Sequence, residues 1–437
     1  MKKIVCLLLV IFMLIPLIAA CGNEGKEDSI KNDTDNSTSD FGGGTYGSGD
    51  SPSGDAYFEA PSDGGDYAGD MAEDGAVSEG DEPIDGDTNG NNRTPAAGMI
   101  TAGAQNDNVY YEDWKNLFGQ ESKYREFDWY FNTLNRVTVT VKKDGAAVPG
   151  AKVTLEDANG MAVYSAVTDA NGIAYLFGQG NETTVCCAGV LAQLQDGEQE
   201  ITLNVSSAKE KKNKIELMFV VDVTGSMGDE LHFLKKELED VINRVAKDNA
   251  NVQIDLALLF YRDHTDAEVF DFYEFVNVNS ADALQSMLKK LENQKADGGG
   301  DYPEAVDEAL KMAVEADWSD DATTKILFHV LDAPPHSDKQ NKDVYYEAVM
   351  TAAEKGIRIC PVLCSGAALL TEYLTREAAI CTAGTFVFVT NDSGIGGSHH
   401  DPGLPNVTVE YLNSLMIRLI NGYHTGKFAD PVSWKEE

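Results

Sequence analysis

The 437-residue sequence predicts an α/β fold with a doubly wound, mostly parallel sheet, preceded by a small all-β sandwich domain and a disordered acidic tether. Three observations predict it. Beyond residue 214, short and nearly continuous apolar runs alternate with amphipathic helical patterns, as strands covered by helices on both faces require. Between 137 and 206, apolar residues recur at every second position and are separated by Asp-Gly and Asn-Gly pairs, the turn chemistry of hairpins. Before residue 108 the chain is rich in Gly, Ser and Asp, so it lacks the apolar area needed to offset the entropy of ordering.

Charge narrows the function classes. With 34 basic against 72 acidic side chains the formal net charge is -38, and no dense Lys/Arg stripe stands against it, which excludes a nucleic-acid partner bound through its phosphates. Seven cysteines are too few and too scattered for a disulfide-built scaffold. Buried thiols are the favoured reading, with Cys364 and Cys381 the first pair to test for a bridge.

The elements follow in order. Lys2 and Lys3 precede an apolar run over 5–20, which reads as a signal peptide, residues 1–20. The run ends in Leu17-Ile18-Ala19-Ala20-Cys21, which resembles the lipobox of bacterial lipoproteins. That resemblance implies that Cys21 becomes a lipidated N-terminus whose acyl chains hold the protein at a membrane, the rest facing outward. An ordinary signal peptide with Cys21 incidental is the other reading. Residues 21–108 are the linker; 22–106 carry nineteen acids against Lys26, Lys31 and Arg93, a self-repelling segment that extends.

Residues 109–136 hold Trp114, Phe118, Tyr124, Phe127, Trp129, Tyr130 and Phe131, too many large apolar groups for a linker. They are expected to pack on a domain as short helices. In 137–206, Val137, Val139 and Val141 alternate with threonines, and turns fall at Asp144-Gly145, Asn159-Gly160 and Asn171-Gly172. The pattern Val148-Pro149-Gly150-Ala151-Lys152-Val153 with Thr168-Asp169-Ala170-Asn171-Gly172 resembles carboxypeptidase-regulatory-like and bacterial immunoglobulin-like sandwiches, which implies a spacer or stalk. Residues 214–423 form the α/β domain and 424–437 a C-terminal tail. Within the α/β domain, strands are expected near 215–221, 252–261, 268–276, 324–331, 357–363 and 385–390. Helices are expected near 281–291, 303–314, 343–355, 367–379 and 407–421, and a further one carries Leu231, Leu234, Leu238, Val241, Ile242 and Val245 on one face.

The richest chemistry lies in Val221-Asp222-Val223-Thr224-Gly225-Ser226-Met227, at the carboxyl end of the first buried strand. One carboxylate and two hydroxyls spaced two apart across a strand-to-helix turn can converge on one hard divalent cation, at the edge of an open sheet where ligands bind. A turn capped by its own hydroxyls is the simpler alternative. The motif resembles the metal-ion-dependent adhesion site of von Willebrand factor A domains, with Thr224 in place of the first serine of the usual Asp-x-Ser-x-Ser. The resemblance extends to Asp332, which follows the apolar strand ending at Leu331, and covers about 214–423.

That resemblance implies Thr224 and Ser226 as direct ligands, with Asp222 and Asp332 orienting water. Magnesium is the expected ion, with manganese or calcium as substitutes. The family supplies a threonine from the loop that here reads Asp297-Gly298-Gly299-Gly300-Asp301-Tyr302-Pro303-Glu304; Gly300 falls at that position, and Asp301 beside it is expected to substitute. Tyr261-Arg262-Asp263-His264 resembles a segment of a subset of these domains, some joined to atypical kinases, and is expected on the same face. No kinase domain is expected here, since the glycine loop lacks a following Lys-Ser or Lys-Thr. His264 and His336 have no nucleophile motif beside them, and His399-His400-Asp401 reads as solvated surface.

Together these features predict a non-enzymatic, outward-facing, lipid-anchored protein whose cation accepts an exposed acidic residue of a protein partner, as in cell adhesion. Two other readings stay open: an envelope sensor or assembly subunit, and, more remotely, a hydrolase using His336 and Asp332.

Overall fold

A computed structural model describes residues 94–437 except 120, 121, 196–198, 250, 301 and 406, so the leader, Cys21, most of the tether and Asp301 lie outside the described residues. In chain order the elements are strand β1 (Thr101–Gln105) and helix α1 (Tyr111–Asn116), then strands β2 (Arg136–Lys143), β3 (Ala146–Ala147), β4 (Lys152–Asp157), β5 (Ala162–Val167), β6 (Ile173–Phe177), β7 (Glu182–Cys187), β8 (Val190–Gln193) and β9 (Glu200–Asn204). The α/β part adds β10 (Lys212–Asp222), α2 (Gly228–Asp248), β11 (Gln253–Tyr261), β12 (Phe270–Asn277), α3 (Ala281–Glu292), α4 (Val306–Glu315) and β13 (Ala322–Leu331). It closes with α5 (Lys339–Lys355), β14 (Arg358–Leu363), α6 (Leu369–Cys381), β15 (Phe386–Val389), β16 (Glu410–Tyr411) and α7 (Leu412–Thr425).

The large sheet has the order β12-β11-β10-β13-β14-β15-β1-β16. Its middle strands, β11 through β15 in that order, run parallel, and the edge pairs β11/β12, β15/β1 and β1/β16 are antiparallel. The mostly parallel α/β prediction therefore holds. Both faces are covered, and β10 shows why its sequence lacks polar alternation. Met218 and Val220 point into one core with Val306, Leu310 and Val349; Leu217, Phe219 and Val221 point into the other with Leu234, Leu238 and Leu415. Each such fully buried aliphatic or Phe side chain contributes roughly 1.5–3 kcal/mol of transfer free energy. Helix α2 supplies Leu231, Leu234, Leu238, Val241, Ile242 and Val245 at spacings of three and four, all buried. Helix α5 begins on Asp338, whose side chain accepts from the Gln340 and Asn341 amides, and ends at Gly356 in the left-handed region.

Residues 136–204 form two four-stranded sheets, one of β3, β2, β6 and β9 and one of β5, β4, β7 and β8. Val139, Val141, Val153, Leu155, Leu176 and Val185 fill the space between them, in a core continuous with one face of the α/β part. Tyr164 of β5 donates to the Cys381 carbonyl of α6 at 2.6 Å, and the Val167 side chain lies against Gly356, where a Cβ would meet it at 2.8 Å. The sandwich is thus seated on the α/β part.

Three boundaries differ from the sequence expectation. The 21–108 linker ends too late, because β1 lies within it and completes the large sheet. Its residues are small by necessity: a Cβ on Gly103 would sit 2.5 Å from the Phe388 ring. Small residues carry little strand signal, so packing rather than propensity makes this strand. Residues 109–136 contain one six-residue helix among the described residues rather than several. The aromatic rings are instead held by burial and polar contacts: Trp114 donates to Thr133 Oγ1 at 3.0 Å, and the Arg376 guanidinium lies 5.0 Å from the Trp114 ring while gripping Asp107 at 2.6 and 2.9 Å. Finally, α7 runs past 423 to Thr425, and the 424–437 tail packs back through a Tyr423–Phe428 ring contact and a bond from the Trp434 amide to the Val409 carbonyl. Cys186, Cys187, Cys360, Cys364 and Cys381 are all unbridged, so the Cys364–Cys381 pair is not formed.

Candidate metal centre

The carboxyl ends of β10 and β13 bring the predicted residues together. Asp222, the last residue of β10, has no exposed surface; its Oδ1 accepts from the Thr224 amide at 2.9 Å and from Thr224 Oγ1 at 2.7 Å. Thr224 Oγ1 lies 3.0 Å from Ser226 Oγ. Ser226 is exposed and its hydroxyl bonds Asp332, the residue after β13. Asp222, Thr224, Ser226 and Asp332 therefore form one connected group, and Ser226 is its outward edge. Asp301 lies outside the described residues.

Unmatched negative charge marks this point. Asp222 Oδ2 and Asp332 Oδ1 are buried without a hydrogen-bond partner, and so is Oε2 of Glu304. Burial, and then the neighbouring Asp332, raise the Asp222 carboxyl above the usual carboxylate range; burial chiefly does the same to Asp332, with Glu230 and Asp229 adding to it against the Ser226 bond. Burial and the charges of Asp222, Asp263, Asp332 and Asp266 push Glu304 up to about 9. Buried, unpaired carboxylates require protons or a cation, because burying an isolated anion costs far more than any one hydrogen bond returns. Oxygen-only donors, hydroxyls included, match a hard divalent ion. Among the described residues no three His, Cys, Asp or Glu side chains close on one point as a ready cage, so an ion here would lean on the two hydroxyls and on water.

Sequence reasoning missed Glu304, which reads as an ordinary acid ahead of α4. The loop geometry reveals it. Gly298 and Gly299 both have positive φ, and a Cβ on Gly299 would lie 3.1 Å from Glu304 Oε1 and 3.3 Å from the Thr224 Cβ. Gly299, rather than Gly300, is thus the loop residue against Thr224, and the gap left by its missing side chain is closed by Glu304. Gly300 instead faces Thr265 and Asp263.

The surroundings hold the turn rigidly. Tyr261, fully buried, lies beside Asp222 and stands 3.2 Å from His329 Nε2; burial pushes His329 down to about 3, so it is neutral. Asp263 accepts from Thr265 Oγ1 at 2.8 Å and pairs with His336 Nε2 at 3.1 Å, which commits His336 to a structural contact. The expectation that His399 is solvated is corrected. It is 7% exposed, its Nδ1 lies 3.0 Å from Asn391 Oδ1, and its Nε2 pairs with Glu230, whose carboxylate also accepts from the Ser365 amide. His400 likewise bonds Glu372 Oε2 at 2.6 Å. The flanking glycines that suggest a loose loop instead let it close on α2: a Cβ on Gly396 would overlap Glu230 Oε1 at 2.2 Å.

Comparison with known proteins agrees with this architecture. Residues 216–379 match the family model of the von Willebrand factor A domain. Of curated proteins, a protein assigned as ariadne-like RING finger protein R811 of Acanthamoeba polyphaga mimivirus is 27% identical over 137 residues, 31% of this chain and 13% of that protein. The chain thus spans about an eighth of that relative. Solved structures similar to it include the conserved hypothetical protein BatB from Bacteroides thetaiotaomicron, at 15% identity and TM-score 0.30, covering 40% of this chain and 90% of that one. The pilus adhesin SpaC from Lactobacillus rhamnosus GG, in its open conformation, is similar at 11% identity and TM-score 0.31, covering 40% and 27%. At such scores the functional reading rests on the site itself.

Proposed function

We propose that the α/β head binds a protein partner through a divalent cation, magnesium by default, held at the turn Asp222-Thr224-Ser226 and by Asp332. The partner contributes an exposed Asp or Glu to the ion. One observation carries this reading: Asp222 and Asp332, which flank the turn that ends in exposed Ser226, each keep a buried oxygen without a partner, and so does Glu304 of the neighbouring loop. Thr224 and Ser226 would hold the ion directly, and Asp222 and Asp332 would orient its water. Neutral hydroxyls leave charge on the ion, which is what makes an outside carboxylate attractive to it. Glu304 lowers that demand if it stays ionised. The reading includes a lipid anchor at Cys21 and an outward-facing, non-enzymatic role, for which the lipobox resemblance and the acidic tether are the support.

The test is capture of partners from cell-surface extracts by the full chain with magnesium, with chelator, and with Asp222→Ala. Capture that is lost in the second and third arms supports the proposal. Capture that ignores both overturns it.

A further inference from the structure

At the opposite end of the sheet lies a cavity of about 640 Å³, walled on one side by the sandwich and on the other by the amino ends of β13 and β14 and the end of α5. Its wall carries Lys152, Lys209, Lys211, Lys325, Lys355 and Arg358 against only Asp320 and Glu354. In a chain with 72 acids and 34 bases, a wall of six cations and two acids is an inversion of the general composition. The two acids are already engaged: Glu354 pairs with Lys152 at 2.6 Å and Asp320 with Lys209 at 3.7 Å.

The other four cations reach only backbone carbonyls or rings. Lys211 Nζ donates to the Asp320 carbonyl at 2.8 Å, Lys325 Nζ to that of Lys355 at 3.1 Å, Lys355 Nζ to that of Val314 at 2.8 Å, and Arg358 Nη1 to that of Ala383 at 3.3 Å. Arg358 also lies over the Tyr423 ring. None of the four is in an ion pair among the described residues. Lys325 and Arg358 are 8% and 9% exposed, so two cationic groups are buried with no acid in ion-pair contact among the described residues, Glu216 on the neighbouring strand being the acid that acts most strongly on Lys325. Burial holds the Lys325 ammonium below its usual range; Glu216 and Asp320 oppose this, and the charges of Lys211 and Lys355 add to it. The wall is built for close approach. Gly150, at φ +68, is the residue against which Lys211 lies, and a Cβ there would overlap Lys211 Cε at 2.1 Å.

We propose that this cavity binds a phosphate-bearing polyanion, a diphosphate or larger, between the sandwich and the α/β part. Its volume is that of a small-molecule site. Several point-charge ammonium groups around one guanidinium suit a ligand that carries several acidic oxygens. The inference is independent of the metal centre. Lys325 lies in β13 and Asp332 follows its last residue, seven residues on, roughly 23 Å at strand rise, beyond the reach of screened charges at physiological salt.

The test titrates the full chain with sodium pyrophosphate in metal-stripped buffer by calorimetry. One-to-one binding that weakens with added salt is expected. It should fall about tenfold in Lys211→Gln and again in Lys355→Gln, as loss of one charged hydrogen bond each implies. It should survive in Lys211→Arg and in Asp222→Ala, which separates it from the metal centre. Neither lysine is fully buried, and unchanged melting temperatures would show that the variants fold. Absence of binding, or binding indifferent to both Gln substitutions, overturns the proposal. A second titration with long-chain polyphosphate distinguishes the source: tighter binding than pyrophosphate assigns a polymer, weaker binding a small molecule.

Discussion

The two ends of the parallel sheet make opposite electrostatic demands. At the carboxyl ends of β10 and β13, carboxylates are buried without enough donors; at the amino ends of β13 and β14, ammonium and guanidinium groups are buried with no acid in ion-pair contact among the described residues. Neither end is explained by stability, since an unpaired buried charge costs free energy wherever it sits. The difference teaches that net charge describes the surface a protein shows at a distance and says nothing of what a particular cavity selects. A chain of charge -38 leaves four of the cations of this cavity outside any ion pair among the described residues.

Four measurements break or sharpen this contrast. The largest expected effect is that of Asp222→Ala, which removes the carboxylate that organises both hydroxyls. Calorimetry with magnesium should show affinity lost by 100-fold or more, on the order of the upper loss seen when groups orienting a metal site are removed, while pyrophosphate binding stays as it was. Equal magnesium binding by wild type and variant would mean the centre is misplaced.

Next is Ile100→Ala. Ile100 has no exposed surface and packs with Leu412 and Leu415 beside β1. Denaturant unfolding should show a loss of about 2–5 kcal/mol; a loss below about 0.5 kcal/mol would place 94–105 outside the folded core after all.

The third is a pH dependence to which the acidic end contributes. Asp222, Asp332 and Glu304 all hold protons more tightly when folded than an ordinary carboxylate does. In metal-free buffer these three groups bind more protons in the folded chain than in the unfolded one, so their contribution to stability is greatest below the ordinary carboxylate range and is lost as pH rises toward about 9, where Glu304 ionises. Melting temperature should decline across this window in the stripped protein, and saturating magnesium should flatten the decline. A flat profile without metal would contradict the unpaired-carboxylate account.

The smallest is Glu304→Gln. If the carboxylate supports the ion, magnesium affinity should drop about tenfold and melting in metal-free buffer should rise, since a neutral amide relieves the repulsion. Unchanged affinity with a raised melting temperature would leave Glu304 as a strained neighbour with no part in ion binding.

How much was legible beforehand depended on how local the cause was. Asp222, Thr224 and Ser226 lie within five residues, and a strand-to-helix turn sets their spacing, so the sequence exposes them. Asp332 was found because an apolar run pointed to a strand end. Glu304 was invisible, because its importance comes from filling the space that Gly299 leaves against Thr224. The basic cavity was equally hidden: Lys152, Lys211, Lys325 and Arg358 come from separate stretches of the chain and meet only when the sandwich docks. The His399 loop misled for the same reason, its glycines serving close packing against Glu230 rather than freedom.

By itself the sequence determined the alternation of buried strands and amphipathic helices, the hairpin turns, and the hydroxyl-bearing turn that follows β10, since all of these arise from side-chain periodicity and backbone preference over a few residues. Tertiary structure alone decided that residues 101–105 complete the large sheet, that Glu304 joins the carboxylates, and that like charges collect at each end. Those outcomes depend on which distant surfaces exclude water from one another, and desolvation has no signature in a linear string.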